Sequence, residues 1–151
     1  MTESVAPGGE TDLGRMLRSL TVSRRSGRFT MVTRAHDEPP VGLGDGVMAV
    51  IAEAEGATVV VTIDAADRNG WTWDFEAAWL TLDVHSSLEA VGMTAAVSAA
   101  LTREGIACNV IAAFHHDHLL VPMGRAGDAV ECLLALRNGD EGDLPLSAST
   151  V

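Results

Sequence analysis

The sequence contains no lysine among its 151 residues, and its formal net charge at pH 7 is −11. Nucleic-acid-binding proteins need a basic surface that neutralises phosphates, and a P-loop needs a lysine at a fixed place in its glycine-rich motif. A dinucleotide-binding loop is also excluded, because the glycines at 42 and 44 are followed by Val47 where the fingerprint requires a third glycine. We therefore expect no nucleic-acid partner and no nucleotide cofactor.

Cysteine is scarce, since the chain has two, Cys108 and Cys132, and both lie inside apolar patterns. This placement argues against a disulfide framework and against a zinc ribbon, and it favours reduced, buried thiols. No charged-then-apolar leader opens the sequence, and no apolar run approaches the roughly 20 residues that cross a bilayer. These features predict a cytoplasmic protein with no membrane partner.

The middle of the chain has the composition of a folded domain, with 47% hydrophobic and 21% charged residues overall. That amount of apolar residue can bury one sizeable core or two small fused cores. Residues 1–10 and 138–151 are instead small, polar and rich in loop-forming types, so we expect a flexible tail at each end.

The second half, residues 74–137, shows a regular succession of patterns. Alternating apolar residues predict a strand over 74–84, and the stripe that follows has helical spacing. The stripe consists of Met93, Ala96, Val97, Ala100 and Leu101. Two strand-like runs, 106–114 and 118–121, then precede a helical pattern over 124–137. The order strand, helix, strand, strand, helix predicts an α+β fold with helices on one face of a mainly antiparallel sheet.

Residues 11–73 repeat this order imperfectly. A short helical stripe precedes a strand at 28–33, and a hairpin follows at 47–63. Between them, the prolines and glycines of 35–46 forbid the helix that the second half carries. We therefore expect a degenerate first unit over 11–73 and a complete second unit over 74–137.

Three histidines and an aspartate lie together at His115, His116, Asp117 and His118. Neighbouring residues of a strand point to opposite faces, so four consecutive side chains cannot close one metal shell. A catalytic zinc usually has three protein ligands, and His85 is the obvious third partner for His116 and His118. An exposed hairpin tip explains the same composition without any metal.

The segment 85–93 connects the strand of the second unit to its helix. Ser86 and Glu89 have the spacing of a capping box, which would begin the helix there. Gly92 is unexpected in a first helical turn, because glycine costs about 1 kcal/mol relative to alanine. Exposed N–H groups next to a glycine, which has no Cβ to block access, can bind a carboxylate.

The stretch "LTLDVHSSLEAVGMTAAVSAALTREGIACNVIAAFHHDHLLVP", with the upstream "EAEGATVVV", resembles the ACT-domain family of small amino-acid-binding modules. It is similar to small bacterial proteins that carry two ACT-like units, which are relatives of aspartate kinase regulatory domains and of cytosolic arginine sensors. The resemblance spans about residues 10–137 and is strongest over 79–122.

The resemblance implies two ferredoxin-like βαββαβ units, a homodimer, and a non-catalytic regulatory protein that binds an amino acid and needs no cofactor or metal. The N–H groups near Val91 and Gly92 would hold the ligand carboxylate, Asn109 would bridge both ends, and Asp117 would pair with the amino group. The ligand-binding residues implied by the family are Ser86, Ser87, Val91, Gly92, Asn109, His116 and Asp117.

Two other functions stay open from the sequence. One is a metal-binding module or metalloenzyme that uses His85, His116 and His118. The other is an interaction subunit of an enzyme that has no ligand of its own.

Overall fold

A computed structural model of the protein describes residues 9–139, which form six strands and four α-helices. The helices are α1 (Leu13–Ser19), α2 (Ile63–Arg68), α3 (Met93–Arg103) and α4 (Ala126–Ala135). The strands are β1 (Val22–Arg34), β2 (Val47–Glu53), β3 (Gly56–Thr62), β4 (Ala77–Leu82), β5 (Asn109–Ala112) and β6 (Asp117–Pro122). They form one sheet in the order β2-β3-β1-β4-β6-β5, and every neighbouring pair is antiparallel. The predicted α+β class is confirmed.

The helices pack on one face of this sheet, as predicted. The larger core joins α1, α3 and α4 to the alternate residues of β4 and β6 that face them, such as Leu80 and Leu119. A smaller core joins α2 to β1 and β3 through Val32, Val59 and Ala66. The predicted stripe of α3 is buried from Met93 to Leu101, so helical spacing places its apolar residues on the sheet.

The opposite face of the sheet carries no helix among the described residues, yet its centre is buried. Phe29, Trp79 and Leu120 are each less than 5% exposed there. Met48 from one edge strand and Ile111 from the other both pack against this cluster. The curled sheet therefore shields its helix-free face with side chains from its own two edges.

The strand pairing reveals an internal repeat with a constant offset. Phe29 faces Thr62 as Ala77 faces Pro122, and Arg34 faces Ala57 as Leu82 faces Asp117. Residues of β1 thus correspond to residues 48 positions later in β4, and residues of β3 to residues 60 positions later in β6. The two offsets differ by 12 residues, so the connection after β4 is 12 residues longer than the connection after β1. The longer connection contains α3, and the shorter one is the loop 35–46.

The two repeats share their central strands. β1 pairs with β3 through its C-terminal half and with β4 mainly through Val22–Arg25, with a register shift before Phe29. β4 pairs along its whole length with β6 and also borders β1. The central strand of each unit therefore also pairs with the central strand of the other unit.

The predicted tails fall mostly outside the described residues, which exclude 1–8 and 140–151. Gly9 and Glu10 of the predicted first tail lie within the described residues, and Glu10 forms a parallel bridge with Ser86. Cys108 and Cys132 are free and half-buried, and burial raises the pKa of both thiols.

Candidate functional site

The connection from β4 to α3 begins at Asp83 and ends at Gly92. The predicted capping box is wrong, because α3 begins at Met93 and its N-cap is Gly92, with no side-chain cap. Ser87 instead closes a local turn, since its Oγ accepts from the N–H of Glu89 at 3.2 Å and its carbonyl accepts from Ala90. The first turn of α3 therefore begins without a side chain bonded to its N–H groups.

Gly92 is favoured here by its backbone conformation, and the Leu13 side chain lies close to it. Its φ is +102°, a region that side-chain-bearing residues rarely adopt, and an added Cβ would lie 2.9 Å from Cδ2 of Leu13. The sequence predicts that some group lies close to the backbone at this glycine. Within this chain, that group is the Leu13 side chain.

The segment around Glu10 lies against the loop. The N–H of Glu10 donates to the His85 carbonyl at 2.9 Å, and the N–H of Ser87 donates to the Glu10 carbonyl at 3.0 Å. Glu10 also accepts through its side chain from the N–H groups of Thr11 and Asp12, and these bonds lower the pKa of its carboxyl. The backbone around Ser86 and Ser87 is therefore engaged by the chain itself, while Val91 is 82% exposed.

The hairpin between β5 and β6 lies beside the start of this loop, because Asp117 faces Leu82 across the sheet. Asp117 shares the helix-bearing face with Leu82, and burial raises the pKa of its carboxyl, although His118 and His116 oppose this shift. Nδ1 of His116 is buried and has no hydrogen-bond partner in residues 9–139. Asp117 and His116 thus lie at the same end of the sheet as the loop.

Asn109 is not brought to these residues. It faces Leu120 at the far end of β5, on the helix-free side, and it is exposed. Since Asn109 and Asp117 point to opposite faces, one small molecule on this chain cannot bridge both.

The metal-site alternative gains no support from this geometry. Within the described part of the chain, no three His, Cys, Asp or Glu side chains are close enough together to hold a metal ion. His118 lies on the helix-free face, where its ring is 5.0 Å from the ring of Trp79.

Sequence reasoning missed a polar chain on that face. Nε1 of Trp79 donates to Oγ1 of Thr81 at 3.2 Å, and this hydroxyl shares a 3.0 Å hydrogen bond with Nδ1 of His118. The Arg25 guanidinium lies 5.6 Å from the Trp79 ring centre. Burial lowers the pKa of His118, and the charges of His116 and Arg25 act in the same direction. The alternation of β4 and β6 could have placed these side chains together.

Sequence reasoning also missed a cleft in the first unit. It has a volume of about 560 Å³ and is lined by Arg34, by the loop 39–45, and by Val47, Asn69 and Trp71. A smaller cleft of about 260 Å³, lined in part by His36 and Glu38, adjoins it at Arg34. Both lie beside the loop that replaces a helix in this unit.

Two models of the ACT domain match this chain, one over residues 8–78 and the other over residues 74–135. The chain belongs to the ACT-domain family. ACT domains are regulatory modules of the amino-acid-sensing kind, and the repeat found in the sheet corresponds to the two matched segments. A comparison with curated proteins gives no match.

Solved structures share the fold of this ACT protein. A Vibrio cholerae protein of unknown function, named a possible transport protein, is 32% identical with a TM-score of 0.71, over 83% of this chain and 95% of its own. An Agrobacterium tumefaciens protein is 18% identical with a TM-score of 0.63, over 78% and 89%. The ligand-free regulatory subunit of Thermus thermophilus aspartate kinase is 11% identical with a TM-score of 0.56, over 78% and 99%. The last two likenesses concern the fold alone.

No helix in residues 9–139 is both long enough and apolar enough to cross a membrane.

Proposed function

We propose that this ACT protein is a non-catalytic regulatory protein of the cytoplasm that binds an amino acid in its second unit, between the first turn of α3 and Asp117. The observation that supports this most is the uncapped start of α3 at Gly92. Free N–H groups at a helix start, with the positive end of the helix dipole, attract a carboxylate.

Asp117 supplies the complementary charge for the ligand's amino group. It lies on the same face of the sheet as α3 and at the same end as the loop. Its carboxyl is partly desolvated, so ionising it costs free energy in the empty protein. An ammonium group beside Asp117 would offset that cost with a charge-assisted hydrogen bond.

The other implied residues have distinct roles in this proposal. The N–H groups of Val91 and Gly92 contact the carboxylate, and His116 borders the site beside Asp117 without a bond from its buried Nδ1 to the ligand. Ser86 and Ser87 shape the loop, because their backbone already pairs with Glu10. We assign no ligand contact to Asn109.

A thermal-shift screen of the twenty amino acids tests the function. A ligand at 100 times its dissociation constant should raise the free energy of unfolding by about 2.7 kcal/mol, which shifts the melting temperature by several degrees. If no amino acid shifts the wild-type melting temperature, the proposal is wrong.

We expect Asp117→Asn to weaken binding of the amino acid found in that screen by at least about tenfold, because the amide carries no charge for the ammonium group. Since the pKa of Asp117 is raised in the folded state, its ionisation lowers stability as pH rises through that pKa. The empty variant should therefore be at least as stable as the wild type at pH 7.

Calorimetric titration and urea unfolding of the same samples separate lost binding from lost folding. Asp74→Asn is the matched control, because Asp74 is exposed and lies outside the strands and helices. Equal affinity in the Asp117 and Asp74 variants would contradict the assigned role.

We also propose a homodimer formed through the β2 edge. No other strand of residues 9–139 pairs with the outer side of β2, and Val50 and Ile51 of this strand are 39% and 42% exposed. An exposed apolar edge strand favours pairing with a second copy. Native mass spectrometry at micromolar concentration should show dimers, and a monomer alone would count against this assembly.

A further inference from the structure

The segment 9–12, which we call the strap, lies along the loop that joins β4 to α3. The N–H of Glu10 donates to the His85 carbonyl at 2.9 Å, and the Glu10 carbonyl accepts from the N–H of Ser87 at 3.0 Å. These bonds form a parallel bridge between Glu10 and Ser86. The strap therefore contacts the loop in its first part, shortly after β4.

Gly9 sets how closely the strap approaches the loop. An added Cβ would lie 2.3 Å from the backbone nitrogen of Ser87 and 2.4 Å from the carbonyl carbon of Ser86. Gly9 is not among the glycines with positive φ, so glycine is needed for this contact rather than for its backbone conformation. Any other residue at position 9 would hold the strap away from the loop.

Within residues 9–139, two backbone hydrogen bonds attach the strap to the loop, and both belong to Glu10. The Glu10 carboxylate bonds locally, since it accepts from the N–H groups of Thr11 and Asp12 and lies 3.7 Å from Arg15. Thr11 and Asp12 are exposed. A surface segment with few hydrogen bonds opens at a low free energy. The strap can therefore leave the loop while the sheet stays folded.

Leu13, the residue after the strap, contacts the other end of the same loop. Its Cδ2 lies 2.9 Å from the position of a Cβ added at Gly92, so a methyl group has no space there. Gly92 is the N-cap of α3, at the place assigned to the ligand carboxylate. Leu13 begins α1 and is half-buried, whereas Met16 and Leu17 of this helix are buried in the core. Leu13 can therefore turn away from Gly92 while the rest of α1 stays packed.

We propose that the strap and Leu13 close the amino-acid site in the empty protein and that the ligand displaces them. This inference rests on the proposed function of the second unit. The bonds of Glu10 hold the start of α1 against the loop, and Leu13 then fills the space beside Gly92. An amino acid whose carboxylate binds at Gly92 places its carbon atoms beside that residue, so it binds when Leu13 has moved away. Closure lowers the apparent affinity by the fraction of molecules that are open.

Calorimetric titration with the amino acid found by thermal shift tests this closure. Gly9→Val forces the strap off the loop, and Leu13→Ala removes the side chain that contacts Gly92. We expect each variant to bind the amino acid about three- to tenfold more tightly than the wild type, because the free energy of opening is no longer required. Gly42→Val is the matched control for Gly9→Val, since Gly42 also lacks a positive φ and has nothing within 4 Å of an added Cβ. Leu43→Ala is the control for Leu13→Ala, because Leu43 is 75% exposed.

Hydrogen exchange at the Glu10 amide is an independent measurement of strap release. This N–H is bonded to the His85 carbonyl in the closed form, so it should exchange faster in Gly9→Val than in Gly42→Val. Adding the amino acid to the wild type should also speed its exchange, whereas a ligand that only stabilised the fold would slow it.

The closure is overturned if the ligand slows exchange at Glu10, or if Gly9→Val and Leu13→Ala bind no more tightly than their controls. In that case, binding by the wild type would still support the proposed function. If no amino acid binds to the wild type or to any variant, the closure and the proposed function both fail.

Discussion

Replacing Gly56 with alanine is expected to lower the free energy of unfolding by about 3 kcal/mol or more. Gly56 has a φ of +151°, and an added Cβ would lie 2.2 Å from the carbonyl oxygen of Arg34. That oxygen belongs to the backbone of a central strand, so it cannot rotate away as a side chain does. The strained backbone and the forced separation of β1 from β3 both contribute.

Urea unfolding of Gly56→Ala beside Gly70→Ala checks this explanation. Gly70 also has a positive φ, +67°, but nothing lies within 4 Å of an added Cβ. Its variant should lose about 1 kcal/mol from backbone strain alone. Equal losses in the two variants would show that the contact with Arg34 is not the cause.

Trp79→Ala is expected to lower the free energy of unfolding by about 3–5 kcal/mol. Trp79 is 4% exposed, and it lies in the buried centre of the helix-free face. Its ring is 5.6 Å from that of Phe29, and its Nε1 bonds to Thr81. No helix among the described residues covers this face, so only side chains of the sheet itself, such as Met48 and Ile111, border the cavity.

Trp73→Ala is the control for loss of an indole, because Trp73 is half-buried and its Nε1 bonds to Asp67 near the surface. Urea unfolding of both variants should show the larger loss at Trp79. A loss at Trp79 no greater than at Trp73 would contradict a central role for the helix-free cluster.

Periodicity was sufficient to predict most of the second unit, since the stripe of α3 reflects burial of one helix face and the apolar residues of β4 reflect a central strand buried on both faces. It missed the first half of β1, where residues 23–28 are all exposed, so no apolar alternation marks the strand. That half is held by backbone pairing to β4, for which side-chain pattern gives no signal.

Only the local part of the candidate site could be predicted from the sequence. The serines and Gly92 were enough to locate the loop before α3. The contact of Glu10 with Ser86 was not predictable, because it joins residues distant in the sequence through backbone atoms. The meeting of Arg34 with Trp71 likewise depends on tertiary packing. Neither contact is local, so neither could be inferred from sequence spacing.

The sharing of β1 between the repeats has a consequence for communication within the molecule. β1 has 13 residues and extends over about 40 Å. Val22 lies at the end of the sheet that carries the β5–β6 hairpin, and Arg34 lies at the first-unit cleft. A displacement at one end of β1 can reach the other end only through the irregularity between Arg25 and Phe29, where Gly27 has a φ of +103°. Severing the chain into halves would abolish such signalling, as each fragment would lack a middle strand.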